Sequence, residues 1–240
     1  MNTVFLKEKG GTLLIAHRGL SGIERENTLP AFVAAANRTY FGIETDVHKT
    51  KDGRLVLIHD GITSRVSGEA LTVSETDFDT LRALPLLDTD GKSQRADLRI
   101  PELTEYIRIC HRYGKVSVLE LKSEFSENEL DEMCALIEKE DHLAMTVFIS
   151  FSLGNLLRLR ARHKDVTAQY LVEVFNENLV NTLLENGLDL DIYFSAMTRE
   201  RVDLLHAHGI KVNVWTVDSA EKAKELIDMG VDMITSNILE

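Results

Sequence analysis

Residues 210–235 have the sequence IKVNVWTVDSAEKAKELIDMGVDMIT, and their alternation of apolar and helical segments indicates the fold class. The apolar, β-branched run at residues 212–217 predicts a buried strand. Asp218 is a favourable residue for opening a helix, and Gly230 stands where the same helix would end. A second apolar run, residues 231–235, predicts the next strand. One strand, one helix and one strand form a βαβ unit, which requires that the two strands be parallel.

The same alternation covers the rest of the second half of the chain. Residues that favour helix N-caps precede the helical runs, and glycines follow some of them. The N-cap candidates are Ser126, with Glu129 completing a capping box, Ser152 and Thr198, and the terminating glycines are Gly187 and Gly209. Apolar runs between these helices predict strands at residues 116–121, 147–149, 167–172 and 192–195.

The first half of the chain is less regular. Strands are predicted at residues 12–16, 42–47 and 55–59, and helices at residues 31–37, capped by Asn27 or Thr28, and 101–114. The second and third strands are separated by too few residues for a helical crossover. The chain therefore either forms a hairpin about Asp52-Gly53 or returns in an extended form without a helix. A hairpin centred on Lys51-Asp52 would place Glu44 opposite His59.

Alternating strands and helices over 240 residues predict an α/β protein with a closed (β/α)₈ TIM barrel. One strand-like segment more than a barrel needs is present, and the surplus lies within residues 42–59. Residues 61–100 lack sustained periodicity and are interpreted as a small insertion after the third strand, in one domain spanning residues 1–240. A doubly wound open sheet is the alternative fold, although no G-x-G-x-x-G motif follows the first strand.

The composition narrows the class of protein. The chain has 39 Asp and Glu against 27 Lys and Arg, a formal net charge of −12, which argues against nucleic-acid binding. No apolar run is long enough to span a bilayer, and no signal peptide is recognisable. We therefore expect a cytoplasmic protein without stable membrane insertion, and assembly into a homo-oligomer stays open. Cys110 and Cys134 are interpreted as buried thiols of a reducing compartment.

Acidic residues occur within the strands whose carboxyl ends would form the active-site rim of a barrel. Glu44 and Asp46 are two positions apart and so share one face of a strand, and Glu120 and Lys122 repeat this spacing. Helices cover the outside of a barrel, so we expect these side chains to point inward. Three converging carboxylates need a neutralising cation, and oxygen ligands favour Mg²⁺ or Ca²⁺. The alternative is that Glu44 and Asp46 form the solvent face of a half-buried strand.

Two histidines and two cations stand at the same predicted rim. A lone histidine after an aliphatic run is usually a buried structural residue, but His17 and His59 together, beside Arg18 and Asp60, favour an acid–base pair. Arg18 and Lys122 are predicted at the same rim of the barrel, and two cations there indicate a bound anion. Phosphate fits this pair of cations, and carboxylate is the competing anion.

These residues belong to an ordered set of motifs that resembles the glycerophosphodiester phosphodiesterase family. The motifs are His17-Arg18-Gly19, Glu26-Asn27-Thr28, Gly42-Ile43-Glu44-Thr45-Asp46-Val47, Thr50-Lys51-Asp52-Gly53, His59-Asp60, Arg65, Pro101, Glu120-Leu121-Lys122, Ser150-Phe151, Val214-Trp215-Thr216-Val217 and Gly230-Val231-Asp232. The resemblance extends from about residue 12 to residue 236. It implies a (β/α)₈ barrel with a small insertion after the strand that ends in His-Asp.

The resemblance also implies a role for each matched residue. His17 and His59 would be the general acid and base, Glu44, Asp46 and Glu120 would hold one divalent cation, Mg²⁺ or Ca²⁺, Arg18 and Lys122 would contact the phosphate, and Trp215 would line the alcohol side of the pocket. The chain departs from the family pattern at Arg25, at Gly61 and at Thr235-Ser236-Asn237. The last departure bears on the pocket wall and thus on the preferred alcohol.

The expected function is metal-dependent hydrolysis of a small-molecule glycerophosphodiester to sn-glycerol 3-phosphate and an alcohol. A lysophospholipase D-type enzyme on the same site is one alternative, for which residues 84–87, Leu-Pro-Leu-Leu, offer apolar contact to a lipid chain. A non-catalytic phosphate-binding barrel is the other alternative. The intact pair of histidines and set of three carboxylates argue against it.

Overall fold

A computed structural model describes residues 2–92 and 95–240 of the chain. The strands are β1 (Leu13–Ala16), β2 (Gly42–Lys49), β3 (Leu55–Leu57), β4 (Val116–Leu121), β5 (Thr146–Ser150), β6 (Thr167–Val172), β7 (Asp189–Tyr193), β8 (Val212–Trp215) and β9 (Met233–Ser236). All of them except β3 are parallel and close into a barrel, because β1 pairs with both β2 and β9. The closure confirms the predicted TIM barrel and excludes the open doubly wound sheet.

Helices alternate with the strands of this barrel, except that β2 and β3 are joined by a turn. The helices are α1 (Leu29–Ala36), α2 (Ser64–Ser67), α3 (Phe78–Ala83), α4 (Leu103–Tyr113), α5 (Glu127–Lys139), α6 (Leu153–Arg162), α7 (Leu179–Asn186), α8 (Arg199–Ala207) and α9 (Ala220–Met229), of which α2 and α3 belong to the insertion. The side chains of Ser126, Ser152 and Thr198 cap α5, α6 and α8 as predicted, each accepting a hydrogen bond from a backbone N–H three residues on. These caps satisfy backbone donors that a helix leaves unpaired.

At α1 and α9, the residue that caps the helix stands next to another residue that the sequence offered as its N-cap. Thr28, rather than Asn27, accepts the N-cap hydrogen bond of α1. Ser219, rather than Asp218, caps α9, which corrects the prediction for that helix. Both Asn27 and Asp218 instead direct their side chains to polar groups at the carboxyl rim of the barrel. Capping residues and site residues share the same chemistry, so sequence alone could not separate the two uses.

The surplus strand is β3, and it forms a hairpin with β2, which is one of the two predicted alternatives. β3 pairs antiparallel with the end of β2, with Val47 opposite Leu57, and it lies outside the barrel. Gly53 provides the turn at φ 80°, a left-handed conformation that favours glycine. The register is one residue away from the expected one, because the turn is centred on Asp52. Glu44 is therefore not the hairpin partner of His59, and that expectation was wrong.

Residues of the predicted insertion pack with Val56 and Ile58 in a separate hydrophobic cluster, the insertion core. Its buried members are Val56, Ile58, Val66, Val73, Leu81, Leu84, Leu86, Leu98 and Ile100. Leu84 and Leu86 are buried in this cluster, so the expectation that residues 84–87 offer an apolar surface to lipid was wrong for these two residues, whereas Pro85 and Leu87 are half-buried. Residues 93 and 94 of the predicted insertion lie outside the described residues.

The insertion is attached to the barrel rim by polar contacts. The Arg25 guanidinium donates hydrogen bonds to the carbonyl oxygens of Leu87 and Asp88. Arg95 forms an ion pair with Glu24 at 2.7 Å. Arg25 was noted in the sequence only as a departure from a family motif, and its role here is to hold the insertion beside the segment that follows β1.

The strand β7 covers Asp189–Tyr193 and so begins earlier than the predicted strand at residues 192–195. Leu190 and Ile192 are fully buried and alternate with Asp191, which is also buried and lines the central pocket. Aspartate is unfavourable in strands, so its presence on the inner face hid the period of two. Among the described residues, no helix is both long and apolar enough to cross a membrane.

Candidate active site

Three carboxylates meet where β2 and β4 reach the carboxyl rim. One oxygen of each of Glu44, Asp46 and Glu120 lies within 4.8 Å of the others. Asp46 stands directly opposite Glu120 in the parallel register of β2 and β4. All three residues are buried, so the alternative of a solvent-facing Glu44 and Asp46 was wrong. The group could hold a metal ion.

The protonation of the three carboxyl groups reflects their crowding. Burial, followed by the negative charge of Asp46, raises the pKa of Glu44 well above its usual value and raises the pKa of Glu120 to about 7. Burial also opposes ionisation of Asp46, but the positive groups around it, Arg18 first and then His59 and Lys122, together outweigh burial and lower the pKa of Asp46. Asp46 Oδ1 is a buried oxygen without a hydrogen-bond partner. Such a set of hard oxygen donors fits a divalent cation.

Asn27 fixes the central carboxylate of this group. Its backbone is left-handed, with φ 52°, a conformation that asparagine tolerates better than most residues. The side-chain amide donates to Asp46 Oδ2 at 2.7 Å, and the amide oxygen accepts from Thr45 Oγ1 at 2.7 Å. Asp46 therefore has one oxygen held by Asn27 and the other left for a ligand.

The turn His17-Arg18-Gly19 carries the chain from β1 across the end of β2. The backbone N–H of Arg18, at φ 53°, donates to Glu44 Oε2 at 2.7 Å. Gly19 has φ 75°, and a Cβ at this position would come within 2.7 Å of the carbonyl carbon of Ala31. Glycine is therefore required for two reasons: it adopts this left-handed backbone conformation, and a side chain here would have no space. The turn places the Arg18 Nε 3.4 Å from Asp46 Oδ2.

His17 lies against the carboxylates and is largely buried. Its Nε2 is 4.0 Å from Glu44 Oε2, and its Nδ1 is 2.8 Å from Asn237 Oδ1. Burial, followed by the positive charge of Arg18, lowers the pKa of His17 to about 4. The imidazole is therefore neutral near pH 7 and able to accept a proton.

His59 stands on the other side of the pocket with a carboxylate partner. Its Nδ1 is 2.6 Å from Asp60 Oδ1, and the second oxygen of Asp60 accepts from Arg65 Nε at 2.6 Å. Burial opposes ionisation of Asp60, but Arg65 and His59 outweigh it and lower the pKa of Asp60 to about 2. His48 Nε2 lies 3.1 Å from the His59 carbonyl oxygen, which ties the backbone of His59 to β2.

A chain of ion pairs connects Asp60, the partner of His59, to Arg18, which lies beside the carboxylate group. Arg65 donates to both oxygens of Glu26 at 2.8 Å, and Arg18 Nη1 donates to Glu26 Oε1 at 3.0 Å. Glu26 thus connects the Arg65–Asp60 pair to the arginine beside Asp46. On the opposite side, Lys122 Nζ is 2.9 Å from Glu120 Oε1 and 3.7 Å from Asp46 Oδ1. The two cations, Arg18 and Lys122, flank the carboxylate group.

The structure brings the predicted site residues to one pocket at the carboxyl rim. Seven of the eight line it: His17, Arg18, Glu44, His59, Glu120, Lys122 and Trp215. Asp46 lies behind them, with its side chain held by Asn27. The rest of the wall includes Phe151, whose ring centroid is 5.9 Å from that of Trp215, and its other members are Ile149, Leu171, Asp191, Thr216 and Thr235. The pocket thus has a charged half and an aromatic half.

Several residues around this pocket were not assigned a role from the sequence. They are Glu26, His48, Asp60, Arg65, Asp191 and Asn237. Most of them act through another residue and carry no pattern of their own. Motif membership could have pointed to Glu26, Asp60 and Arg65, whereas Asp191 and Asn237 have no comparable signal.

A family model supplies the link to known proteins. The model of the glycerophosphoryl diester phosphodiesterase family matches residues 17–240, which include the whole pocket. The chain belongs to this family. It is therefore an enzyme of the phosphoric diester hydrolase class, as the resemblance of its motifs predicted.

Relatives and solved structures of the family cover nearly the full chain. A glycerophosphodiester phosphodiesterase of Caldanaerobacter subterraneus subsp. tengcongensis is 32% identical over 237 residues, covering 94% of each protein. A phosphodiesterase of Oleispira antarctica, solved with the product sn-glycerol-3-phosphate, has a TM-score of 0.85 at 26% identity and covers 94% of this chain and 93% of its own. A glycerophosphodiester phosphodiesterase of Thermotoga maritima has a TM-score of 0.75 at 25% identity, with 94% of each chain covered.

Proposed function

We propose that the chain cleaves glycerophosphodiesters to sn-glycerol 3-phosphate and an alcohol, with one divalent cation and two histidines. The observation that carries the proposal is the carboxylate group of Glu44, Asp46 and Glu120, placed in one pocket with His17 and His59. A cation held there would polarise a phosphoryl oxygen and stabilise the charge of the transition state. The product seen in the Oleispira antarctica relative agrees with this substrate class.

The protein's own residues would move the protons. In the first step a hydroxyl of the glycerol moiety attacks phosphorus, the P–O bond to the alcohol breaks, and a cyclic phosphate forms. One of His17 and His59 accepts the proton of the attacking hydroxyl, and the other protonates the departing alkoxide. In the second step water opens the ring and the two histidines exchange roles. Each proton transfer contributes about 10²–10⁴ in rate.

The remaining residues would bind and orient the substrate. Arg18 and Lys122 flank the carboxylates and are suited to the phosphate anion, because each lies within 4 Å of Asp46 and can donate toward the pocket. Trp215, which packs edge-to-face with Phe151, would contact the alcohol. We place the chain in the cytoplasm in this proposal, and the physiological partner is a small-molecule diester.

Release of sn-glycerol 3-phosphate from glycerophosphocholine tests the proposal. We expect turnover with Mg²⁺ or Ca²⁺, none after treatment with a chelator, and recovery when either ion is returned. Full turnover by thoroughly metal-stripped protein would contradict the metal assignment. If the protein cleaves no glycerophosphodiester in a panel but still binds phosphate, the result would instead favour the non-catalytic phosphate-binding barrel.

A further inference from the structure

Asn237 connects His17 to a carboxylate that the proposed chemistry does not use. Its side-chain oxygen is 2.8 Å from His17 Nδ1. Its side-chain nitrogen donates to Asp218 Oδ2 at 2.6 Å, and its backbone N–H donates to Asp218 Oδ1 at 2.8 Å. Ser21 Oγ, 2.7 Å from the Asn237 side-chain oxygen, offers a further donor on the same side. The amide of Asn237 therefore has a distinct partner at each end.

Asp218 determines which end of the Asn237 amide faces which partner. Besides the two donors of Asn237, Asp218 Oδ1 accepts from Ser236 Oγ at 3.0 Å. An ionised carboxylate accepts hydrogen bonds and has none to donate. The NH₂ end of the Asn237 amide must therefore face Asp218, because the reverse orientation would set two acceptor oxygens against each other. This leaves the amide oxygen facing His17.

The orientation of the amide decides the tautomer of His17. An amide oxygen only accepts, so the ring nitrogen next to it, Nδ1, must carry the hydrogen. The lone pair of the neutral ring is then on Nε2, the nitrogen that lies 4.0 Å from Glu44 Oε2. We infer that Asn237, oriented by Asp218, is a positioning residue that holds His17 in the Nδ1–H tautomer.

The inference rests on the proposed function, since the tautomer matters only if His17 transfers a proton. With the hydrogen on Nδ1, His17 enters the reaction as the proton acceptor. The opposite tautomer would present an N–H to the pocket and would have no lone pair there. In a serine protease, the loss of the residue that fixes the histidine tautomer lowers kcat by about 10⁴. A neutral amide holds the ring less strongly than a carboxylate, so we expect a smaller loss here.

Two single variants and their combination test the inference. In Asp218→Asn the new amide must still accept from Ser236 and from the Asn237 backbone, so its NH₂ group faces the NH₂ group of Asn237. The Asn237 amide then rotates, its NH₂ end meets His17 Nδ1, and the Nε2–H tautomer is favoured. In Asn237→Asp two carboxylates face each other. The double variant Asp218→Asn, Asn237→Asp exchanges the two groups and restores a donor–acceptor pair, with an acceptor again beside Nδ1.

The first readout is independent of activity. Histidine-selective ¹⁵N NMR of the metal-free protein at pH 7.5, with His17→Ala identifying the signal, reports which ring nitrogen carries the hydrogen. We expect Nδ1–H in the wild type and in the double variant, and Nε2–H in Asp218→Asn. A wild-type His17 with its hydrogen on Nε2, or an unchanged tautomer in Asp218→Asn, would overturn the inference.

The second readout separates positioning from a general loss of structure. We expect Asp218→Asn to lower kcat by about 10-fold or more with KM within about 3-fold, as for an interaction made in the transition state. The double variant should recover most of this loss, and the exposed control Asp228→Asn should keep wild-type kcat and melting temperature. A double variant no faster than the single variants would refute the inference. Wild-type kcat in His17→Ala would instead refute the proposed function and leave the tautomer to be judged by NMR.

Discussion

Asn27 donates its side-chain amide to Oδ2 of Asp46 at 2.7 Å, from a backbone that is itself left-handed at φ 52°. The residue thus serves two needs at once, a turn conformation and a hydrogen bond to a buried carboxylate. Two substitutions separate these needs, because glycine adopts the turn freely and alanine does not.

We expect Asn27→Gly and Asn27→Ala to weaken metal binding equally, by about 10–100-fold, as for other partners that orient a metal ligand. Only Asn27→Ala should lose a further ~1 kcal/mol of unfolding free energy through backbone strain. Metal titration by calorimetry and denaturant unfolding of the metal-free protein measure the two effects. Equal stability of the two variants would show that the conformation is not strained.

Metal binding should release protons near neutral pH. The pKa of Glu120 is about 7 and that of Glu44 is raised, both first through burial, so the metal-free site holds protons that a cation must displace. We therefore expect the affinity for Mg²⁺ or Ca²⁺ to rise as pH increases from 6 to 8. Calorimetry in buffers of different ionisation enthalpy gives the number of protons released. Affinity independent of pH over this range would contradict the coupling.

Removal of either histidine should abolish most of the turnover without unfolding the protein. We expect His17→Ala and His59→Ala each to lower kcat by about 10² or more, as for a lost acid or base. The double variant should lose much less than the product of the two single losses, since the pair acts as one unit. A near-normal kcat with a good substrate would make the substituted histidine structural.

The insertion core should contribute to stability independently of the metal site. Leu86 is buried in this cluster, and its truncation to alanine should cost about 2–5 kcal/mol of unfolding free energy. Ile62, exposed on the same segment, provides the matched control, and Ile62→Ala should change stability by less than about 0.5 kcal/mol. Loss of metal affinity in Leu86→Ala, measured well below its melting temperature, would show that the cluster also supports the carboxylates.

Asp191 should make the protein less stable as the solution becomes more alkaline. Burial, followed by the charge of Glu120, raises its pKa well above the usual value, so the folded state favours the protonated form. Stability that is fully present below the unfolded pKa is lost progressively as pH rises toward the folded pKa. Asp191→Asn removes this titration, and its stability advantage over the wild type should grow with pH. A constant difference from pH 5 to pH 9 would exclude this origin.

The barrel was predictable because helix caps and apolar runs repeat with a clear period. Ser152, for example, both precedes a helical run and caps it in the structure. The prediction failed where side-chain chemistry contradicted the period, as at Asp191 on the inner face of β7, and where one residue type has two uses, as at Asp218. Register is set by the turn, so the position of Asp52 within the hairpin moved every pair by one residue.

The site was predictable where a residue acts directly and carries a spacing. Glu44 and Asp46 share a strand face and meet Glu120 on the neighbouring strand, as expected from a period of two. Residues that act through others have no such signal. Asn237 reaches His17 only because β9 and β1 are neighbours in the closed barrel, and the two positions are 220 residues apart in the chain.

The division of the pocket into a charged half and an aromatic half has a consequence for divergence within the family. The charged half comes mainly from β1, β2 and β4, whereas Phe151 and Trp215 belong to the side formed by β5 and β8. Substitutions on the aromatic side can therefore accumulate without disturbing the carboxylates. Under the proposed function, such a layout would let a few changes in the aromatic wall alter the preferred alcohol while the groups proposed for phosphoryl chemistry stay in place.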